Sequence, residues 1–313
     1  MMYTIGVDIG GMTIKVGLVD EQGNIVIKDR VKTNTDPYVA IKDTVELINK
    51  LLEKYNVSIT EITGIGIGCP GSVKDREGIL VYTNNLPWYN VNFREELKKY
   101  FNLPVEVAND ANAAALGEVK YGVAKGYSNA VMLTLGTGVG GGVIIDKKIF
   151  SGSDGFGTEL GHTTLVYGGK LCTCGRRGCL ESYASATALM EQAREEMKIN
   201  KNSKMWNYVS GDIMNVDGKI VFDCMQQGDE SAKKVVDTYV NYVSEGIINM
   251  LNIFRPDIFI IGGGVSSAGK VFFDKIIKKV EEEEYGYAKV VIDIVPAKLG
   301  NDAGIIGAAS LIG

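Results

Sequence analysis

Residues 4–20, TIGVDIGGMTIKVGLVD, read as a strand, a tight turn at Gly10-Gly11 and a second strand, because apolar residues fill both arms and the paired glycines interrupt them. The same unit starts again further on. Shifted by 126 positions without a gap, IGVDIGG…LVD falls on VMLTLGT…IID, so that Ile9 meets Leu135, Gly10 meets Gly136, Leu18 meets Ile144 and Asp20 meets Asp146. One supersecondary unit used twice is what a duplicated α/β domain requires. At 313 residues the chain is also long for one hydrophobic core, so two lobes with a cleft are expected.

Outward from that stretch, the polar turn Glu21-Gln22-Gly23-Asn24 leads to a third strand, IVIKD. Asp36 is placed to cap a helix with Pro37 at its first position, and YVAIKDTVELINKLLEKY supplies the apolar period. ITGIGIG reads as a buried strand, NFREELKKYF as a short helix, VEVA as a strand and ANAAALGEVKYG as a helix. That βββαβαβα order implies a mixed sheet with helical layers. In the second half, residues 229–254 read as a long apolar-periodic helix, 257–265 as a buried strand entering a glycine turn, and 290–295 as another strand. Residues 302–312 form a small-residue helix able to pack on either lobe, and the glycine-punctuated residues 121–126 suit a hinge. The expected division is 1–120, 121–298 and a closing helix in 299–313.

With 45% hydrophobic and 23% charged residues the chain has apolar material for two cores. A net charge of -5 opposes the counterion release that drives nucleic-acid binding, and no basic run compensates, so DNA and RNA are not expected partners. No apolar stretch approaches a membrane span, the opening MMYTIGVDIGG has no export signature, and the expected location is cytoplasmic. The acidic run at residues 281–284 is a solvated helix face. Cys69 and Cys224 read as small packed residues.

Gly10-Gly11 and the run at residues 136–142 expose successive backbone N–H groups, which make anion-binding concavities, with Thr13, Lys15 and Thr137 as possible side-chain donors. Residues 136–141 and 66–71 also satisfy Gly-x-Gly-x-x-Gly, but no helix follows either, so a dinucleotide fingerprint is discounted. In VEVANDANAAALGE a strand runs into Asn109-Asp110 and a helix. Asp110 can cap that helix, or present a carboxylate at the strand's carboxyl end as a general base, and the two roles are compatible. In GTELGHTTLVYGGKLCTCGRRGCLES, Cys172, Cys174 and Cys179 lie on a glycine-rich loop, ten residues after the chain's one histidine, His162. Three thiolates and an imidazole make a closed tetrahedral zinc set, structural rather than catalytic; the alternative is three reduced, unliganded thiols. Glu159 and Glu181 are tethered to that loop as candidate hydroxyl-binding groups.

Together these segments resemble the ROK family of sugar kinases and repressors, in order from residue 4 to residue 309. DIGGMTIK looks like its first phosphate motif, IGIGCPGSV with the Asn85-Leu86 region its sugar-side segments, and ANDANAAALGE its catalytic segment. LGTGVGGG looks like the second phosphate motif, ELGH with CTCGRRGCLE the zinc and sugar motif, IIGGGVS the adenosine-side turn and NDAGIIGAA the closing helix. The resemblance implies a two-domain actin-like (ribonuclease H-like) α/β fold with a cleft between the lobes, and ATP-dependent phosphorylation of a hexose, glucose first, at its 6-hydroxyl. It implies Asp110 as general base, with Gly71, Asn85, Asn109, Glu159, His162 and Glu181 about the sugar. Asp8, Gly10, Gly11, Thr13, Lys15, Gly136, Thr137, Gly138, Gly263 and Gly264 would hold ATP, with magnesium near Asp8. His162, Cys172, Cys174 and Cys179 would hold zinc, and a homodimer is the expected assembly. Met12 departs from the pattern, since Thr usually follows the paired glycines. Other hexoses, N-acetylhexosamines and polyphosphate as donor stay open. A sugar-sensing repressor of the same family needs a helix-turn-helix domain for which a first strand at residue 3 leaves no room, and a sugar-free ATPase leaves the metal loop without a use.

Overall fold

The first strand pair forms where the paired glycines place it. In the computed structural model, which describes residues 1–83, 85–286 and 292–313, β1 (Tyr3–Ile9) and β2 (Thr13–Asp20) run antiparallel. The Gly10 N–H donates to the Thr13 carbonyl at 2.9 Å to close the turn. Then follow β3 (Ile25–Lys32), α1 (Pro37–Tyr55), β4 (Ile62–Cys69), β5 (Ser72–Lys74), β6 (Ile79–Tyr82), β7 (Tyr89–Asn92), α2 (Phe93–Lys98), β8 (Val105–Asn109) and α3 (Asp110–Lys120). Asp36 caps α1 as expected, its side chain accepting from Tyr38 N–H at 2.8 Å. The main sheet has the order β3-β2-β1-β4-β8. β5, β6 and β7 form a separate three-stranded sheet that the βββαβαβα reading did not contain. These strands are three or four residues long, too short for alternation to register.

The second sheet repeats the path of the first. It uses β9 (Ala130–Leu135), β10 (Val139–Ile145), β11 (Lys148–Ile149), β12 (Ile258–Gly262) and β13 (Asp293–Pro296) in the order β11-β10-β9-β12-β13. Of the strand expected over 290–295, residues 290 and 291 lie outside the described residues. Helices α4 (Glu181–Ala184), α5 (Ala186–Ile199), α6 (Gly218–Gln226), α7 (Glu230–Phe254), α8 (Lys270–Glu283) and α9 (Ala303–Ala309) complete the chain. No helix among the described residues is long and apolar enough to cross a membrane.

By internal contacts the chain separates into two units, 1–132 with 142–158 and 297–313, and 133–141 with 159–296. In the first unit, Ile5, Val7, Ile65 and Ile67 on the sheet pack with Ile48 and Leu51 of α1 and with Trp88, all within one apolar cluster. The small-residue tail helix α9 seats against β1 and β4 because Gly6 and Gly66, paired in register, have no side chains. A Cβ on Gly66 would stand 1.8 Å from the Ala308 carbonyl oxygen, and one on Gly6 2.1 Å from that of Ile305. At the far end of α3, the fully buried Glu118 carboxylate accepts from the backbone N–H groups of Val123, Lys298 and Leu299, each at 2.8 Å, which satisfies a charge that burial would otherwise penalise. In the second unit the buried stripe of α7 packs against α5, α6 and α8. Tyr239 on that stripe donates its hydroxyl to the Ala184 carbonyl at 2.6 Å.

Candidate active site and metal centre

Within the first unit, register brings the candidate residues to one edge. Asp8 stands opposite Gly68 in the parallel β1–β4 pair, and Cys69 opposite Asn109 in β4–β8, so the carboxyl ends of three strands align. Asn109, not Asp110, is the N-cap of α3. Its Oδ1 accepts from Ala111 and Asn112 N–H at 2.9 and 3.3 Å, while its Nδ2 donates to the Gly71 carbonyl at 3.1 Å. Either residue type caps well; here the extended backbone at Asn109 turns that side chain back over the helix end. Asp110 is thereby the first helical residue, and its Oδ1 accepts from its neighbour Ala111 N–H at 2.9 Å. Burial, and then the negative charge of Asp110, push the thiol of the fully buried Cys69 far up, so this cysteine is a packed, protonated residue.

Beside Asp110's strand edge lies the first glycine turn. Gly11 packs against Asn85, whose Cβ would be 3.5 Å from a Cβ on that glycine. Asp8 is not alone: Lys15, its partner across the strand pair, donates to Asp8 Oδ2 at 2.9 Å. Met12 is 83% exposed, so the unusual residue points out of the first core rather than into it.

In the second unit the turn at residues 136–138 is fixed from its carbonyl side. Ala186 N–H donates to Gly136 O and Thr187 Oγ1 to Thr137 O, both at 2.8 Å, which docks the start of α5 on the turn. The turn after β12 lies against it: a Cβ on Gly263 would be 2.4 Å from the Leu135 carbonyl oxygen. Beyond Gly264 opens a pocket of about 590 Å³, lined by the apolar Leu189, Phe222 and Val265 and by the charged Asp217, Lys219 and Asp223 among others. The lining residues of α5 and α6 lay outside the sequence reading; the buried faces of these amphipathic helices were the available signal.

The four proposed metal ligands come together. The ligand atoms of His162, Cys172, Cys174 and Cys179 lie within 4.8 Å of one another. His162 Nδ1 is 3.6 Å from Cys172 Sγ, and the sulfurs of Cys174 and Cys179 are 3.7 Å apart. Tetrahedral thiolates at a Zn–S distance of about 2.3 Å stand ~3.8 Å from one another, so the donor set and its spacing fit zinc. Backbone bonds shape the loop: Cys172 N–H donates to Arg176 O at 2.8 Å, and Arg176 spans back to the His162 carbonyl at 3.0 Å. Without a cation the Cys179 thiol is pushed up to about 12, by burial first and then by the two neighbouring cysteines, the environment a dication relieves.

Glu159 precedes the short turn that carries His162 and accepts the His162 N–H on its carbonyl at 3.0 Å. Its side chain reaches solvent, yet the carboxyl pKa is raised, first by the protein packed around it and also by Glu181, with His162 opposing. Glu181 opens α4. Its Oε1 accepts from Thr173 Oγ1 at 2.7 Å and its Oε2 from Val139 N–H at 3.0 Å, joining the metal loop to the glycine turn. Nothing in local sequence spacing pointed to Thr173.

Comparison with known proteins places this geometry. The profile of the ROK family matches residues 4–313. A glucokinase of Thermotoga maritima is 39% identical over 309 residues, covering 98% of this chain and 96% of its own length. A glucokinase of Streptomyces coelicolor is 38% identical over 317 residues, covering 99% and 98%. Among solved structures, a ROK family glucokinase from Streptomyces griseus, crystallised in complex with glucose and AMPPNP, matches with a TM-score of 0.83 at 33% identity, over 99% of this chain and 98% of that one.

Proposed function

We propose that this chain, which belongs to the ROK family and has its actin-like, ribonuclease H-like fold, is an ATP-dependent kinase that phosphorylates glucose at the 6-hydroxyl. The observation that carries the reading is Asp110 at the carboxyl edge of the first sheet, relieved of the capping role by Asn109. Asp110 takes the proton of the 6-hydroxyl as its oxygen attacks the γ-phosphorus in line, the bond to the bridging oxygen breaks, and ADP leaves. Asn109, Asn85 and the Gly71 backbone orient the sugar, and Glu159, His162 and Glu181 meet its ring hydroxyls. With Nδ1 turned to the sulfurs, His162 has Nε2 for a hydroxyl.

Zinc on His162, Cys172, Cys174 and Cys179 supplies a structural cross-link that holds this loop. Asp8, a hard oxygen donor, would sit near magnesium, which would supply neutralisation of phosphate charge. ATP phosphates lie on Gly10, Gly11, Thr13 and Lys15 and on Gly136, Thr137 and Gly138, with the adenosine over Gly263 and Gly264. The pocket beside Gly264, with Leu189, Phe222 and Val265 among its lining, supports a nucleotide over polyphosphate, which has no base to fill it. In this reading residues 1–120 carry the sugar-side and catalytic segments, 121–298 the zinc loop and the adenosine-side turn, and 299–313 the closing helix. The protein is cytoplasmic and homodimeric, and has no membrane or nucleic-acid partner, the last supported by its charge of -5.

Rates of ADP release over a panel of hexoses test the substrate: glucose should have a higher kcat/KM than mannose, fructose, N-acetylglucosamine or N-acetylmannosamine. Preference for an N-acetylated sugar would overturn the choice of glucose.

A further inference from the structure

The Glu181 carboxylate is held at both oxygens, Oε1 by Thr173 Oγ1 at 2.7 Å with the Cys172 sulfur further off at 3.5 Å, and Oε2 by Val139 N–H at 3.0 Å. The Thr173 and Val139 donors come from different places, one from between two metal-loop cysteines and the other from the start of β10. A glutamate loses much rotamer freedom when ordered. The Val139 bond alone fixes where one oxygen sits and leaves the carboxyl plane free to turn; at the other oxygen the Thr173 bond is the short one, at 2.7 Å against 3.5 Å for the Cys172 sulfur, which is committed to the metal set. The path is tight, since a Cβ on Gly138 would stand 2.4 Å from Oε2, so the glycine there makes room for the carboxylate. Thr173 is itself exposed, and its hydroxyl contributes nothing to an apolar core.

We propose that Thr173 is a positioning residue for the sugar. Its hydroxyl holds the Glu181 carboxylate in the one orientation that meets a ring hydroxyl, and the inference rests on the reading of Glu181 as a sugar contact. The hydroxyl touches neither the transferred phosphoryl group nor the attacking oxygen, so its loss weakens sugar binding rather than the chemical step.

The test compares Thr173→Val, which keeps the shape and removes the donor, with Thr173→Ser, which keeps the donor. From the strength of hydrogen bonds to charged groups, Thr173→Val should raise the glucose KM about tenfold while kcat and the ATP KM change less than about twofold, and Thr173→Ser should lie within about twofold of wild type. Bound zinc, by elemental analysis, and melting temperature should match wild type in both. A Thr173→Val enzyme with unchanged glucose KM overturns the inference. So does one that loses zinc and depresses kcat and both KM values together, because the hydroxyl would then only support the loop. A wild-type protein that binds and phosphorylates no hexose removes the sugar reading and this inference together.

Discussion

The two glycine hairpins follow one backbone path and differ in what surrounds their turns. In the first, a charge pair is built into the strands, Asp8 on β1 and Lys15 on β2, 2.9 Å apart. At the corresponding positions of the second stand Thr134 and Gly141, which carry no charge. There the carboxylate is brought in from outside: Glu181 reaches Val139 N–H, and a Cβ on Gly141 would stand 2.6 Å from Leu160 Cγ, where the metal-loop segment packs. A repeated unit thus keeps its strand order, while the chemistry at its turns comes from its own strands in one copy and from a distant loop in the other. The first turn should therefore be independent of the metal, and the second should depend on it.

The largest effect expected lies on the metal-independent side. Asp110→Asn should lower kcat by ~10²–10⁴-fold, the usual worth of a placed general base, while zinc content and melting temperature stay near wild type. Because Asn109 caps α3, the substitution removes the base without removing the cap. An Asn variant that retains more than about a tenth of wild-type kcat would move the base elsewhere, with Asp8 next to test.

Cys179→Ser sharpens the contrast directly. Metal should fall from about one zinc per chain towards none, since three remaining ligands hold zinc poorly and binding energy is partly folding energy. Amide exchange should then speed up over residues 136–139 and 159–182 and stay unchanged over 4–20. Equal loss of protection in both hairpins would break the comparison.

Acid should act on the metal-loop side first. If Glu159 meets a sugar hydroxyl as proposed, its ionised form is the stronger acceptor, and its pKa is raised in the folded protein. The glucose KM should accordingly rise as pH falls through a range above the usual glutamate value of about 4.3, and Glu159→Gln should flatten that limb. For stability the sign is opposite: a raised carboxyl pKa favours the fold below the unfolded value and that contribution is lost as pH rises through the folded one. The smallest effect on stability is expected at Lys15→Met, although its ATP KM should rise with the loss of the phosphate contact. The pair with Asp8 is partly exposed, with Lys15 38% accessible, so about 0.2–1 kcal/mol of stability should be lost.

The repeated hairpin was legible because glycine turns and apolar arms are local signals, whereas the pairing of Asp8 with Lys15 came only with the structure. The Asp36 cap and the long helix over residues 230–254 were legible for the same reason. The cap of α3 was misassigned by one residue, since Asn109 and Asp110 both suit the role and only backbone direction chooses between them. The tie from Thr173 through Glu181 to Val139 was not legible, because it joins residues 42 apart through side-chain geometry. The clustering of His162, Cys172, Cys174 and Cys179 was legible, since cysteine and histidine spacing carries its own chemistry.

The measurement that bears most directly on the account is ADP release by the purified protein with and without glucose, with the sugar product identified in the same reaction. The account predicts that ATP turnover requires glucose and that one glucose 6-phosphate appears for each ADP. ATP turnover at the same rate without any hexose, or phosphate on a different hydroxyl, would contradict it.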